Sequence, residues 1–115
     1  MFGKKKESGI PVGHYEGIEG FATDYPCRIE VKGDVFEIKR IKPETTVTLP
    51  MNRIKSFSAL EEKNFMQKYH GTARTTGKSG ITKYYLVVEY DKGMLAFWGT
   101  AKEYKQFIAL QYATN

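Results

Sequence analysis

His14 and His70 are the only imidazoles in the chain and Cys27 its only thiol, so any nucleophilic, general-base or soft-metal chemistry must draw on these three. A His70 base beside Cys27 would be the minimal hydrolase or transferase arrangement. Against it, Cys27, Ile29 and Val31 alternate with Arg28 and Glu30, which puts the sulfur on the apolar face of a strand, where a lone cysteine packs as a small hydrophobe. One thiol also forbids an internal disulfide, and nothing has the spacing of a structural zinc site. Glu61 and Glu62 are neighbours, so in a strand they face opposite ways and cannot work as an acid and base pair. They are expected to keep an edge soluble. Gly77-Lys78-Ser79 looks like the end of a phosphate-binding loop, yet that motif needs a glycine where Thr72 stands and a helix where a strand pattern follows. No nucleophile, base and orienting group form a set. We expect no catalysis and no cofactor.

Charge gives a stronger signal than chemistry. Between Glu62 and Glu89 lie Lys63, Lys68, Arg74, Lys78 and Lys83 with no acidic residue. Lys68, Arg74, Lys78 and Lys83 are therefore the candidate ligand-binding residues, able to hold phosphate or an acidic partner. Lys4, Lys5 and Lys6 form a second candidate contact for a membrane or anion, although three charges attach a chain only marginally. Tyr84, Tyr85, Tyr90, Phe97 and Trp98 could stack single-stranded nucleic acid if basic residues tracked beside them, but in a small β domain such rings more often fill the core.

The elements that would position these groups are short. Residues 1–13 read as a basic, flexible arm, and Gly13 to Asp24 as an irregular segment or a short first strand. Pro26 to Val31 and Val35 to Ile41 alternate around Lys32-Gly33-Asp34 as a hairpin, and Thr46 to Leu49 continues in β-favouring residues. Pro50 to Arg53 reads as a turn, and Ile54 to Leu60 as a strand. Phe65 to His70 fits either period, because Phe65 and Tyr69 share a face in both. We read it as strand. Gly71 to Gly80 is a polar loop. Two apolar runs, to Tyr90 and from Met94, are joined by Asp91-Lys92-Gly93 as a three-residue hairpin loop. Thr100 then caps a helix, Glu103 reaches back to its amide, and Tyr104, Phe107, Ile108 and Tyr112 form the packing stripe.

A chain of 115 residues with 41% apolar residues supports one core, so residues 14–115 are expected to form a single domain. Its net charge of +5 permits an anionic partner without requiring one. With one cysteine and no apolar stretch near the ~20 residues a spanning helix needs, a cytoplasmic setting is expected.

The spacing of Phe36-Glu37-Ile38, Val47-Thr48-Leu49-Pro50 with Ile54, Tyr85-Leu86-Val87-Val88, and Ala96-Phe97-Trp98 before a helix from Thr100 to Leu110 resembles the pleckstrin-homology-like (PH-like) superfold in its bacterial and GRAM-type forms. The resemblance implies a mainly β fold with one C-terminal helix, a bent antiparallel barrel plugged by that helix. It also implies a non-enzymatic module binding a protein, peptide or anionic ligand, with homo-oligomers common. Phosphoinositide binders of that superfold carry a first-strand lysine and a basic pair beyond the first loop. The nearest equivalents are Lys32 and Lys39-Arg40, across a turn too short to cradle phosphate. The alternative reading is a nucleic-acid-binding β-barrel using the basic hairpin and exposed aromatics.

Overall fold

The computed structural model describes residues 9–40, 44–71 and 82–114. The expected polar loop falls almost wholly outside them. Seven strands, β1 (Ile10–Glu16), β2 (Tyr25–Lys32), β3 (Val35–Arg40), β4 (Thr45–Pro50), β5 (Ile54–Glu61), β6 (Tyr84–Tyr90) and β7 (Gly93–Gly99), form one antiparallel sheet in the order β4-β3-β2-β1-β7-β6-β5. A 3₁₀ turn, Met51–Arg53, links β4 to β5. Helix α1 (Glu62–His70) follows β5, and α2 (Ala101–Thr114) ends the described chain.

Alternation explains the N-terminal half. Cys27, Ile29, Phe36, Ile38 and Leu49 point inward from β2, β3 and β4, while Thr46 and Thr48 face solvent. The β2–β3 hairpin turns at Gly33, whose φ of +60° is a left-handed conformation that glycine adopts without strain. β1 begins at Ile10, inside the stretch read as an arm, because Ile10 and Val12 are core residues and the backbone pairs with β2 from Ile10 onward.

β6 and β7 follow a different rule. Tyr85, Leu86, Val87 and Val88 are all buried in succession, as are Leu95, Ala96 and Phe97, so both faces of this part of the sheet are covered. One core gathers Leu86, Val88, Leu95 and Phe97 with Ile29, Phe36, Ile38, Phe57 and Phe107. A second, on the opposite face, holds Phe65, Tyr85, Val87 and Ala96, bordered by Tyr15, Tyr69 and Trp98.

Helix α1 covers that second core, which corrects the strand reading of Phe65 to His70. Glu62 lies in its first turn, Lys68 and His70 in its last, and Gly71 at φ +67° ends it, with its N–H donating to the Gln67 carbonyl at 3.2 Å. Phe65 stacks on Tyr85 with ring centroids 4.2 Å apart. The final hairpin is also tighter than expected: Tyr90 pairs with Gly93, leaving a two-residue loop of Asp91 and Lys92.

Helix α2 starts as its sequence suggests. The Thr100 N–H donates to Glu103 Oε1 at 2.8 Å, and the Thr100 hydroxyl donates to the same oxygen at 2.6 Å. Phe107 is fully buried and Tyr104 and Leu110 pack beside it, whereas Tyr112 is 78% exposed. Five residues from Phe107 is about 140° around a helix, which takes Tyr112 off the packing face.

The sheet is open. β4 and β5 stand at its two ends and are not paired with each other, so the hydrogen-bonded closure expected of a barrel is not made. Instead Gln111 of α2 accepts the Ala59 N–H of β5 at 2.7 Å, and the helix lies along that edge. Among the described residues no helix is long and apolar enough to cross a membrane.

Candidate functional site

The residues that could have done chemistry are built into the fold. The ring of His14 is 2% exposed, with Nδ1 3.1 Å from the Ala22 carbonyl oxygen and Nε2 accepting the Ile18 N–H at 3.2 Å. That pattern requires the neutral tautomer carrying its proton on Nδ1. Cys27 is buried in the first core, and burial pushes its thiol up to about 12. His70 lies against the second core, beside Phe65 and Tyr15, with Nε2 3.2 Å from Glu16 Oε1. Cys27 and His70 therefore occupy opposite faces of the sheet and form no pair. Among the described residues no group of three or more His, Cys, Asp or Glu side chains could hold a metal. Glu61 is exposed as expected, but Glu62 is buried at the start of α1 and keeps no edge soluble.

The candidate cations separate in the same way. Arg74 and Lys78, like Lys4, Lys5 and Lys6, lie outside the described residues. Lys68 is exposed on α1, its Nζ 5.4 Å from the Tyr69 ring centroid. Lys83 sits over Trp98 at 4.3 Å, with Nζ 3.9 Å from Asp24 Oδ1, the oxygen that also accepts the Trp98 indole N–H at 2.8 Å. Lys83 thus ties β6 and β7 to the turn after β1. Lys32 is engaged by Glu37 at 3.1 Å, and Arg40 by the Gly20 carbonyl and the Thr45 hydroxyl, so two of the three nearest headgroup-binding equivalents are committed within the fold. Of the aromatics, Tyr85 and Phe97 are buried and Tyr84 stacks on Tyr104 at 4.3 Å.

Among the described residues a cleft lies between β3 and β4 on one side and the β6–β7 hairpin on the other. It has a volume of about 380 Å³, and Ile38 of β3, Val47 and Leu49 of β4, Leu95 of β7, Tyr90 and Ile18 line it. Glu19 supplies a carboxylate among these walls and is itself exposed. The volume falls within the range of small-ligand and side-chain pockets, which are mostly apolar with few polar groups.

The cleft is held open by polar staples on two sides. His14 anchors the segment from Gly17 to Asp24 through the two bonds already described, and Arg40 donates to the Gly20 carbonyl at 3.1 Å while lying over Phe21 and Tyr25. Gly17 is obligatory: its φ is +113°, and a Cβ would come within 2.5 Å of the Met94 carbonyl oxygen. Beside Tyr90, Arg53 grips Asp91 with two hydrogen bonds of 3.0 Å, and the Asp91 N–H donates to the Arg53 carbonyl at 3.2 Å. The turn after β4 is thereby locked to the β6–β7 hairpin.

β4 contributes more than two apolar side chains. It hydrogen-bonds to β3 in an unbroken register and, among the described residues, to no strand on its other side. It bears no charged residue and no bulge, and of the devices that usually blunt an edge it has one, Pro50 at its end. Nothing in the single sequence distinguished Val47 and Leu49 from other core residues; the cleft exists only because the strands on its other wall come from the far end of the chain.

No family model matches the chain, and neither a curated protein nor a solved structure matches it.

Proposed function

We propose that this chain is a non-enzymatic interaction module with a PH-like arrangement that docks a protein segment along β4. The PH-like part of the reading is supported by the antiparallel strand order, with β1 joining the two halves of the sheet, and by the C-terminal helix whose Phe107 reaches the core. The docking part rests on one observation: the β5 edge is capped by α2 and Gln111, while among the described residues no strand pairs with the outer side of β4, which borders a cleft. An added strand gains backbone hydrogen bonds from such an edge and places alternate side chains into the adjoining pocket.

Selection of a random-peptide display library on the intact chain tests this, with Val47→Lys as control. That substitution directs a charge into the cleft while leaving the β3–β4 register intact. Enrichment by wild type and loss of it by a folded Val47→Lys is the expected result. Equal enrichment by both would move the binding surface elsewhere. If selection instead returned acidic sequences whose binding weakens steeply with salt, the basic residues Lys68, Arg74, Lys78 and Lys83 would become the contact surface.

A further inference from the structure

We infer that His14 is a proton-sensitive latch: while its ring is neutral it holds the strap of residues 17–24 against the sheet, and protonation releases residues 18–22 and with them one wall of the cleft. Geometry sets the condition. Nε2 accepts the Ile18 N–H at 3.2 Å and Nδ1 stands 3.1 Å from the Ala22 carbonyl oxygen, so the ring bridges the two ends of that stretch. Only the neutral tautomer with its proton on Nδ1 makes both bonds. A proton on Nε2 turns the acceptor into a donor and sets two N–H groups against each other at Ile18. The Ile18 carbonyl accepts the Phe21 N–H at 3.1 Å, so the turn built on Ile18 moves with it.

The surroundings offer an imidazolium no counter-charge. His14 is 2% exposed and meets the rings of Phe21 and Phe97. Among the described residues no carboxylate bonds to it. On its own strand Glu16 lies 3.2 Å from His70 Nε2; on the strap Glu19 is exposed in the cleft wall, and the Asp24 carboxylate takes the Trp98 indole N–H. β2 offers Tyr25 and the buried thiol of Cys27, β7 carries no charged residue, and Glu103 of α2 is held by Thr100. β3 adds a cation, Arg40, 4.8 Å from the Phe21 ring centroid, which disfavours a second positive charge. A buried, unpaired charge costs several kcal/mol, so proton uptake at His14 is coupled to exposure of its ring to water.

Release is local. The Thr23 hydroxyl donates to the Tyr15 carbonyl at 3.3 Å and the Asp24 N–H to the His14 carbonyl at 2.6 Å, bonds to backbone that a ring proton leaves intact. Residues 18–22 otherwise hold to the fold through Arg40 on the Gly20 carbonyl and through Phe21 in the core. Ile18 and Glu19 line the cleft, so this wall stands at neutral pH and is lost in acid. The latch works whatever the cleft takes, and so goes beyond the docking reading of β4.

Nuclear magnetic resonance of the intact, nitrogen-15-labelled chain between about pH 7.5 and about pH 5 tests the latch across the range in which free imidazole changes charge. At the upper end the ring nitrogens of His14 should report a neutral imidazole protonated at Nδ1. Amide exchange, corrected for its intrinsic pH dependence, should show Ile18 and Phe21 losing protection by up to about tenfold per pH unit below about 6.5, because opening takes up one proton, while the amides of β2 and β3 keep theirs. His14→Gln keeps an acceptor for the Ile18 N–H without titrating in this range, and should abolish the acid-dependent loss. His70→Gln removes the other imidazole and should leave the loss unchanged. A ring that charges while Ile18 and Phe21 stay protected would overturn the latch, as would a ring that stays neutral under a closed strap down to about pH 5. Loss spread equally over β2 and β3, loss that persists in His14→Gln, or loss that disappears in His70→Gln would do the same. Should His14→Gln fail to fold, the ring spectra and exchange of the wild type and of His70→Gln decide by themselves.

Discussion

At the scale of single residues, the groups richest in potential chemistry are the ones most fully used by the structure. His14 spends both ring nitrogens on the segment that walls the cleft and meets Phe21 and Phe97 edge-on, so its role is architectural. His14→Phe preserves the ring and removes both hydrogen bonds. It should cost about 2 kcal/mol, read as a lower urea midpoint at unchanged slope. Cys27 offers a sharper test. Its thiol is 2% exposed and pushed up to about 12 by burial, so at pH 8 it carries almost no thiolate in the native protein. Ellman's reagent should react with the folded chain only as fast as the chain opens, and immediately in denaturant. Rapid reaction under native conditions would show that the strand face carrying Cys27 is accessible.

Elements obey a different logic, because their identity depends on what covers them. The Phe65 to His70 piece could be strand or helix by period alone, and strand was the reading taken. Two signals pointed the other way: acidic Glu62 ahead of Lys68 and His70, and Gly71 just beyond, which is the charge and capping order of a helix. A third lay in β6, where Tyr85 to Val88 are apolar without alternation and so require a layer on each face. α1 is that second layer. Phe65→Ala should remove about 3 to 4 kcal/mol of stability and speed amide exchange in α1 far more than in β2 and β3. Equal acceleration everywhere would mean that α1 and the sheet open as one unit. At α2, Glu103→Ala should cost only about 0.5 to 1 kcal/mol, since it removes a surface cap and no packing.

For the molecule as a whole, the two ends of the sheet are held at a fixed separation by contacts between distant parts of the chain. The Arg53–Asp91 pair bridges 38 positions and locks the turn after β4 to the last hairpin. Its hydrogen bond to Arg53 holds the Asp91 carboxyl below the usual range. A carboxyl lowered on folding contributes stability above its unfolded value, near 4, and that contribution fades as the pH falls through the lower folded value. Wild type should therefore lose more stability than Asp91→Asn between about pH 5 and pH 2, measured by urea unfolding across that interval. Identical acid limbs would show that the pair is not formed in solution. Both groups are exposed, so the difference should also shrink at high salt.

Much of this architecture was legible from residue order alone. Alternation at Cys27 to Val31, Phe36 to Ile38 and Thr46 to Leu49 determines strands, because side chains two apart share a face whatever lies beyond them. Gly33 and the Thr100–Glu103 pair determine a turn and a helix start through bonds that span at most three residues. The cleft could not be read in that way. Its walls come from residues 17–19, 38–49 and 90–95, and whether β4 meets β5 or stands apart depends on α2 reaching the β5 edge through Gln111. Tyr112 makes the same point, since its apolar character suggests burial and only the rotation of α2 about Phe107 leaves it in solvent. Local bonds are written in adjacent letters; an open edge is a relation between segments far apart in the chain, and it appears when they pack.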